Sequence, residues 1–315
     1  MNLHNDEENY QALITKTSEY MKIPEFFIEK DYWVTYLLCN LSQSRYVNDI
    51  VFKGGTSLSK AYGCIDRFSE DIDLALAEPS LGDAKRKTLM KDIEKAVSKG
   101  LTYLKDYPHE EKRGRNRKTF YEYPLLNDHS SVSPVKDIIQ LEINTFTHPF
   151  PLVKKSVKSF IAEYLYHSDL ESFVTKYNLL PFEVNVLSIE RTFFEKALSL
   201  IRLSYNGTSD LRPKLRHFYD MTCIIEQISF TPEMYDIFQK AFFDDKENST
   251  FAGKWTEEPL FTAPLFINFS SIWKELEPLY INEMSRLVWN NKDLSLSKVE
   301  QMIITLSDFL KINNA

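Results

Sequence analysis

One short stretch, Phe52 to Leu76, constrains this chain more than any other. It reads FKGGTSLSKAYGCIDRFSEDIDLAL. A glycine pair and two hydroxyl residues come first, Gly54-Gly55-Thr56-Ser57, and Asp71-Ile72-Asp73-Leu74 comes near the end. In a strand, residues two apart point to the same face. Asp71 and Asp73 therefore project together, while Ile72 and Leu74 turn into a core. Two close carboxylates repel, so the pair is costly unless a cation sits between them. Hard divalent ions such as Mg²⁺ take oxygen ligands of this kind and keep room for phosphate. Glycines upstream let backbone amides approach a phosphate closely. A phosphate cradle and a metal clamp are thus both expected within 25 residues.

These residues resemble the nucleotidyltransferase superfamily of DNA polymerase β type, whose signature is a Gly-Gly or Gly-Ser turn followed by a D-x-D strand. GGTSL followed by RFSEDIDL is more narrowly similar to the AbiEii/AbiGii toxin family, the toxin half of type IV toxin–antitoxin pairs. The spacing between glycines and aspartates is longer than the usual superfamily spacing. That spacing and the Arg-Phe-Ser lead-in point to the toxin family.

At 315 residues the chain has room for one large or two modest domains. A hydrophobic share of 43% against 26% charged residues belongs to a soluble globular protein. With only 8 glycines the chain should be helix-rich with few tight turns. A formal net charge of -7 excludes a protein that is basic overall, so any RNA contact must use local patches. No apolar run reaches the roughly 20 residues that a membrane-spanning helix needs. The polar, acidic start MNLHNDEENYQ reads as neither a signal nor a transit peptide. Cys39, Cys64 and Cys223 are odd in number and widely spaced. They read as small buried residues in a reducing cytoplasm, without disulfide or zinc spacing. The six histidines, His217 among them, show no metal-ligand spacing either.

In chain order, helices are expected over Glu7 to Met21 and from Pro24 to Leu41. Glu29-Lys30-Asp31 then forms either a solvated face or a helix side flanking the active site. Val51 to Lys53 is a strand, and Thr56 or Ser57 should cap the helix running to Tyr62. Asp71 to Leu76 is the next strand, and Pro79 to Leu104 reads as mostly helix. Lys112, Arg113, Arg115, Arg117 and Lys118 make the densest basic run. It is either a solvated loop or a loop that grips RNA or nucleotide phosphates. Val135 to Phe146 is a strongly apolar strand with Glu142 inside it. A charge in a buried strand is rare unless paired or metal-bound. Polymerase-β-like folds carry a third carboxylate on a strand beside the D-x-D strand, so Glu142 is the candidate and Asp137 the competitor. After Pro149 and Pro151 the composition changes, Lys154 to Tyr166 reads as a basic helix, and a domain boundary is placed near residue 150. Phe182 to Ile189 is one more strand. Helices follow from Thr231 to Phe243, Ser270 to Trp289 and Ser295 to Ile312.

A second block begins at Ser188, which should cap the helix SIERTFFEKALSLIR; Pro213 starts another, with KLRHFYDM. Arg216 and Asp220 share a face there at i, i+4. ERTFFEKA and RHFYDM resemble the second conserved block of the AbiEii family, in which the lysine and the later aspartate belong to the active site. The matching positions are Lys196 and Asp220; the other reading is a structural ion pair between packed helices. A lysine there can hold β- and γ-phosphates as charge builds during phosphoryl transfer.

The resemblance implies an α+β protein. A polymerase-β-like nucleotidyltransferase domain with a small mixed sheet spans residues 1–150, and a mainly helical domain spans 151–315 and closes the active-site cleft. Asp71, Asp73 and Glu142 would hold Mg²⁺ or Mn²⁺. Gly54, Gly55, Thr56 and Ser57, with Lys196, would hold the phosphates of an NTP substrate. Asp220 would orient Lys196, and Ser69 is a candidate control point. The expected activity is transfer of NMP to an acceptor hydroxyl, the 3′ end of tRNA, which blocks translation. An antitoxin encoded nearby is the implied partner. The alternatives are a nucleotidyltransferase that modifies a protein or small-molecule hydroxyl, and an NTP-binding regulator without transfer activity.

Overall fold

The computed structural model describes residues 1–69, 71–126, 137–248, 253–289 and 294–313. The chain forms two compact units. One is Met1–Gly63 with Phe68–Val186; the other is Cys64–Arg67 with Leu187–Ala315. The boundary expected near residue 150 therefore moves to residue 187. The reason is sheet completion: the last strand of the first unit pairs with its first strand.

The first unit opens with α1 (Glu7–Met21) and α2 (Glu25–Ser42), then β1 (Ile50–Lys53) and the short α3 (Gly54–Ser57). A π-helical turn, Leu58–Tyr62, continues α3. After β2 (Asp71–Leu76) come α4 (Asp83–Val97), β3 (Thr102–Tyr103), β4 (Glu111–Lys112) and β5 (Asn116–Glu122). β6 (Ile138–Asn144), β7 (Leu152–Val157), α5 (Phe160–His167), α6 (Glu171–Lys176) and β8 (Phe182–Leu187) complete it.

Among the described residues the sheet runs β3-β5-β6-β2-β1-β8-β7, with β4 paired to β5. It is mixed: β1 is antiparallel to β2 and parallel to β8, while β2 is parallel to β6. From Asp71 to Leu74 the period of two holds on β2, with Ile72 and Leu74 buried and Asp71 and Asp73 half-buried. The alternation therefore fixes which face carries the carboxylates.

Four local expectations change. α2 is buried on nearly all sides, and its charged triplet is not solvated: Glu29, Lys30 and Asp31 are 1%, 0% and 3% exposed. Burial of charge demands partners. Asp31 meets Lys60 at 2.5 Å and accepts from the Phe160 amide at 2.8 Å. Glu29 accepts from the Leu126 amide at 2.8 Å, and burial pushes its carboxyl up to about 7. Second, Lys112 to Lys118 is not a loop but a hairpin, in which β4 returns as β5. Third, Lys154 to Tyr166 divides into β7 and α5, because Ser159 accepts from the Ala162 amide and starts the helix only there. Fourth, the helix expected over Pro79 to Leu104 is confined to α4. Of the apolar strand Val135 to Phe146, residues 135 and 136 lie outside the described residues.

The second unit is helical: α7 (Ile189–Ser204), α8 (Thr208–Leu211), α9 (Leu215–Ile225) and α10 (Pro232–Glu247). Then follow α11 (Pro264–Ile267), α12 (Phe269–Leu287) and α13 (Leu296–Ile312). Phe194, Leu198, Ile201, Phe218, Trp273, Leu276 and Leu306 lie in its core. No helix among the described residues is long and apolar enough to cross a membrane.

Candidate active site

β1 delivers the chain to Gly54 with φ +78°, a left-handed conformation that favours glycine. A Cβ at this position would meet Asp73 Oδ2 at 2.2 Å. The Asp73 carboxylate thus lies directly over the glycine turn, and only a residue without a side chain fits beneath it. Neither expected cap is made. Ser57 Oγ donates to the Gly54 carbonyl at 2.8 Å, and Thr56 Oγ1 donates to the Asp71 carbonyl at 2.5 Å. Thr56 Oγ1 also lies 3.0 Å from Ser69 Oγ. The two hydroxyls tie the turn to itself and to the aspartate strand instead of capping a helix.

Strand register extends the cluster. Asp73 is opposite Lys53 on β1 and opposite Glu142 on β6, and Glu142 is in turn opposite Lys118 on β5. Register partners share a sheet face. One row across four strands therefore reads Lys53, Asp73, Glu142, Lys118, with two carboxylates between two cations. Asp71 pairs in register with Gln140. The sequence pointed to Glu142 as a charge inside an apolar strand. It did not show Lys53 and Lys118 as flanking charges, since only register reveals that. Asp137, the competitor, precedes β6 and lies outside this row.

Among the described residues, no three His, Cys, Asp or Glu side chains already converge as an ion site. The donor chemistry nevertheless fits a hard divalent ion. Two carboxylates share one face of β2, a third lies in register next to them, and the missing side chain at Gly54 lets the Asp73 carboxylate sit against the glycine turn.

The second unit holds another charged centre. Ser188 caps α7 as expected, accepting from the Arg191 amide at 3.2 Å. That helix presents Lys196, whose Nζ lies 2.8 Å from Asp220 Oδ2 on α9. Asp220 is fully buried and also accepts from Arg67 Nε at 2.6 Å and Nη2 at 2.7 Å. Burial alone would raise the Asp220 carboxyl, but the Arg67 and Lys196 cations outweigh it and hold the group well below the usual carboxylate range. Arg67 reaches α9 because its segment is anchored: the Asp66 amide donates to Tyr219 Oη at 3.3 Å, and the Trp289 amide donates to the Asp66 carbonyl at 2.9 Å. Arg216, one turn before Asp220 on α9, pairs with Glu283 at 2.8 Å. The imidazole of His217 is lowered well below its ordinary value by burial and by Lys196, Lys214 and Arg67, against the pull of Asp220, so it is neutral at pH 7. Arg67 stands in the opening motif, yet its link to Asp220, 153 residues away, has no local signal.

Comparison with known proteins bears on the family and the fold. A family model described as nucleotidyl transferase AbiEii toxin, type IV TA system, matches residues 36–288. Among solved structures, the chain is similar to MenT4, a nucleotidyltransferase toxin from Mycobacterium tuberculosis H37Rv. That match has a TM-score of 0.59 at 15% identity and covers 95% of this chain and 89% of the other. At that identity the likeness supports the fold alone. No curated protein matches by sequence. The family match spans most of the chain, and on that ground the protein belongs to the AbiEii family of nucleotidyltransferase toxins of type IV toxin–antitoxin systems.

Proposed function

We propose that this nucleotidyltransferase transfers NMP from an NTP to the 3′-terminal hydroxyl of tRNA and thereby blocks translation. The carrying observation is the Asp73 carboxylate seated over Gly54, in a row with Glu142 and two lysines. Asp71, Asp73 and Glu142 would hold Mg²⁺ or Mn²⁺, which when bound supplies charge neutralisation at the phosphates. Amides of Gly54, Gly55, Thr56 and Ser57 receive β- and γ-phosphate oxygens. Glu142 takes the proton of the acceptor hydroxyl as its oxygen bonds to the α-phosphorus. The bond from that phosphorus to the bridging oxygen breaks, and pyrophosphate leaves. Lys196, held by Asp220, is assigned to nucleotide phosphates on the strength of the family resemblance. Ser69, within 3.0 Å of Thr56 Oγ1, is a control point whose modification would disturb the turn. A cognate antitoxin encoded nearby is the regulatory partner that family membership implies.

The test is incubation with Mg²⁺, each labelled NTP and total cellular RNA, with Asp71→Ala/Asp73→Ala as control. Label on tRNA with wild type alone is the expected result. Label on protein would replace the acceptor, and retained nucleotide without transfer would remove the transferase reading.

A further inference from the structure

The densest basic run in the sequence is largely neutralised at home. Lys112 pairs with Glu110 at 3.0 Å, Arg113 with Glu111 at 2.8 Å and Arg117 with Glu94 at 2.5 Å, while Arg115 donates to the Thr145 carbonyl at 2.9 Å. Strand β7 is different. It carries Lys154 and Lys155, and no carboxylate among the described residues forms an ion pair with either. It also ends the sheet, with β8 on one side and no described strand on the other. Its residues from Leu152 to Lys154 are exposed, so the outer edge offers backbone N–H groups as well as cations.

The position of β7 gives this edge a direction. β7 packs against the Leu58–Tyr62 turn, the continuation of the helix that begins at Gly54. Lys155 Nζ lies 4.7 Å from the centre of the Tyr62 ring. Successive side chains alternate, so Lys155 shares the face of buried Val157 and Lys154 takes the other. Cations on both faces, edge amides and a half-exposed aromatic ring match what a single-stranded nucleic acid needs: phosphate neutralisation and a platform for a base.

We propose that the β7 edge, through Lys154, Lys155 and Tyr62, binds the single-stranded end of the acceptor RNA. This rests on the RNA-acceptor reading above. A competing explanation is that the lysines only keep another strand from adding to the edge, a common use of charge there. Charge reversal separates the two, because Glu blocks strand addition as well as Lys does but repels phosphate.

The experiment measures binding of a 5′-labelled tRNA pool by anisotropy between 50 and 200 mM salt. It uses wild type, Lys154→Glu/Lys155→Glu, Lys154→Gln/Lys155→Gln, and Lys91→Glu/Lys95→Glu on α4 as a charge-matched control. The β7 reversal should weaken binding at least tenfold while sedimentation stays as wild type. The neutralised variant should lower the slope of log K against log salt by about 1.4, two contacts at roughly 0.7 each; the α4 control should bind as wild type. Unchanged affinity and slope in the β7 variants would overturn the proposal, as would an equal loss in the α4 control. If wild type labels tRNA and the β7 reversal labels it equally well, only this proposal fails. If wild type neither binds nor labels RNA, the RNA-acceptor reading fails with it.

Discussion

Replacing Asp220 by Asn tests the most tightly enclosed charge cluster in the second unit. Asp220 is 0% exposed and faces two cations, Arg67 at 2.6 and 2.7 Å and Lys196 at 2.8 Å. Asparagine keeps the shape and removes the charge, so both cations stay enclosed with no anion between them. Breaking one partner from a buried pair costs about 3–5 kcal/mol, and that range is the expected loss at pH 7. The folded carboxyl lies below its ordinary value of 3.8. Its stabilisation is therefore complete above the unfolded value and is lost as pH falls through about 3.8 toward the folded value. The amide of the Asp220→Asn variant does not titrate, so the gap between the two proteins should shrink by roughly 1.4 kcal/mol per pH unit below that point. Urea unfolding at pH 7, 4 and 3 measures the gap. Tryptophan emission is a suitable probe because Trp255, Trp273 and Trp289 belong to the same unit as Asp220. Lys196→Met should cost less than Asp220→Asn, since Arg67 still makes two bonds to the carboxylate. A loss below about 1 kcal/mol at pH 7, or a gap that does not move below pH 4, would refute the reasoning.

Two further outcomes are expected. Gly54→Ala places a methyl 2.2 Å from Asp73 Oδ2 at φ +78°, so NMP transfer should fall by at least 100-fold, while circular dichroism stays close to wild type; activity within threefold of wild type would show that the carboxylate is not fixed over the turn. Lys60→Met leaves Asp31 buried without its cation, and urea unfolding of the first unit should show a loss of about 3–5 kcal/mol. A loss under about 1 kcal/mol would mean that Asp31 has another sufficient partner.

Much of the scaffold was legible locally. α1 and β2 match their expected spans, and Ser188 caps α7, because capping and strand alternation are decided by residues within a few positions of one another. Buried charge was less legible. Glu29-Lys30-Asp31 has the composition of a solvated face, and only the packing of Lys60 and of the Phe160 and Leu126 amides around it makes its burial tolerable. Lys154 to Lys158 has enough helical character to be read as helix, yet edge pairing with β8 holds β7 as strand. That pairing joins segments on either side of α5 and α6.

By itself, the order of residues from Phe52 to Leu76 fixed the local geometry on which the proposed chemistry rests. A glycine that tolerates φ +78° and two aspartates on one strand face are local properties that any fold must carry with the chain. The tertiary structure alone decided what stands next to them. It set Lys53 and Glu142 in register with Asp73, set Lys118 in register with Glu142, and brought Arg67 across 153 residues to Asp220. It also neutralised one basic run while leaving the β7 lysines without carboxylate partners among the described residues. The physical reason is that register and ion pairing depend on which distant segments share a surface, and neither is encoded within a single turn or strand.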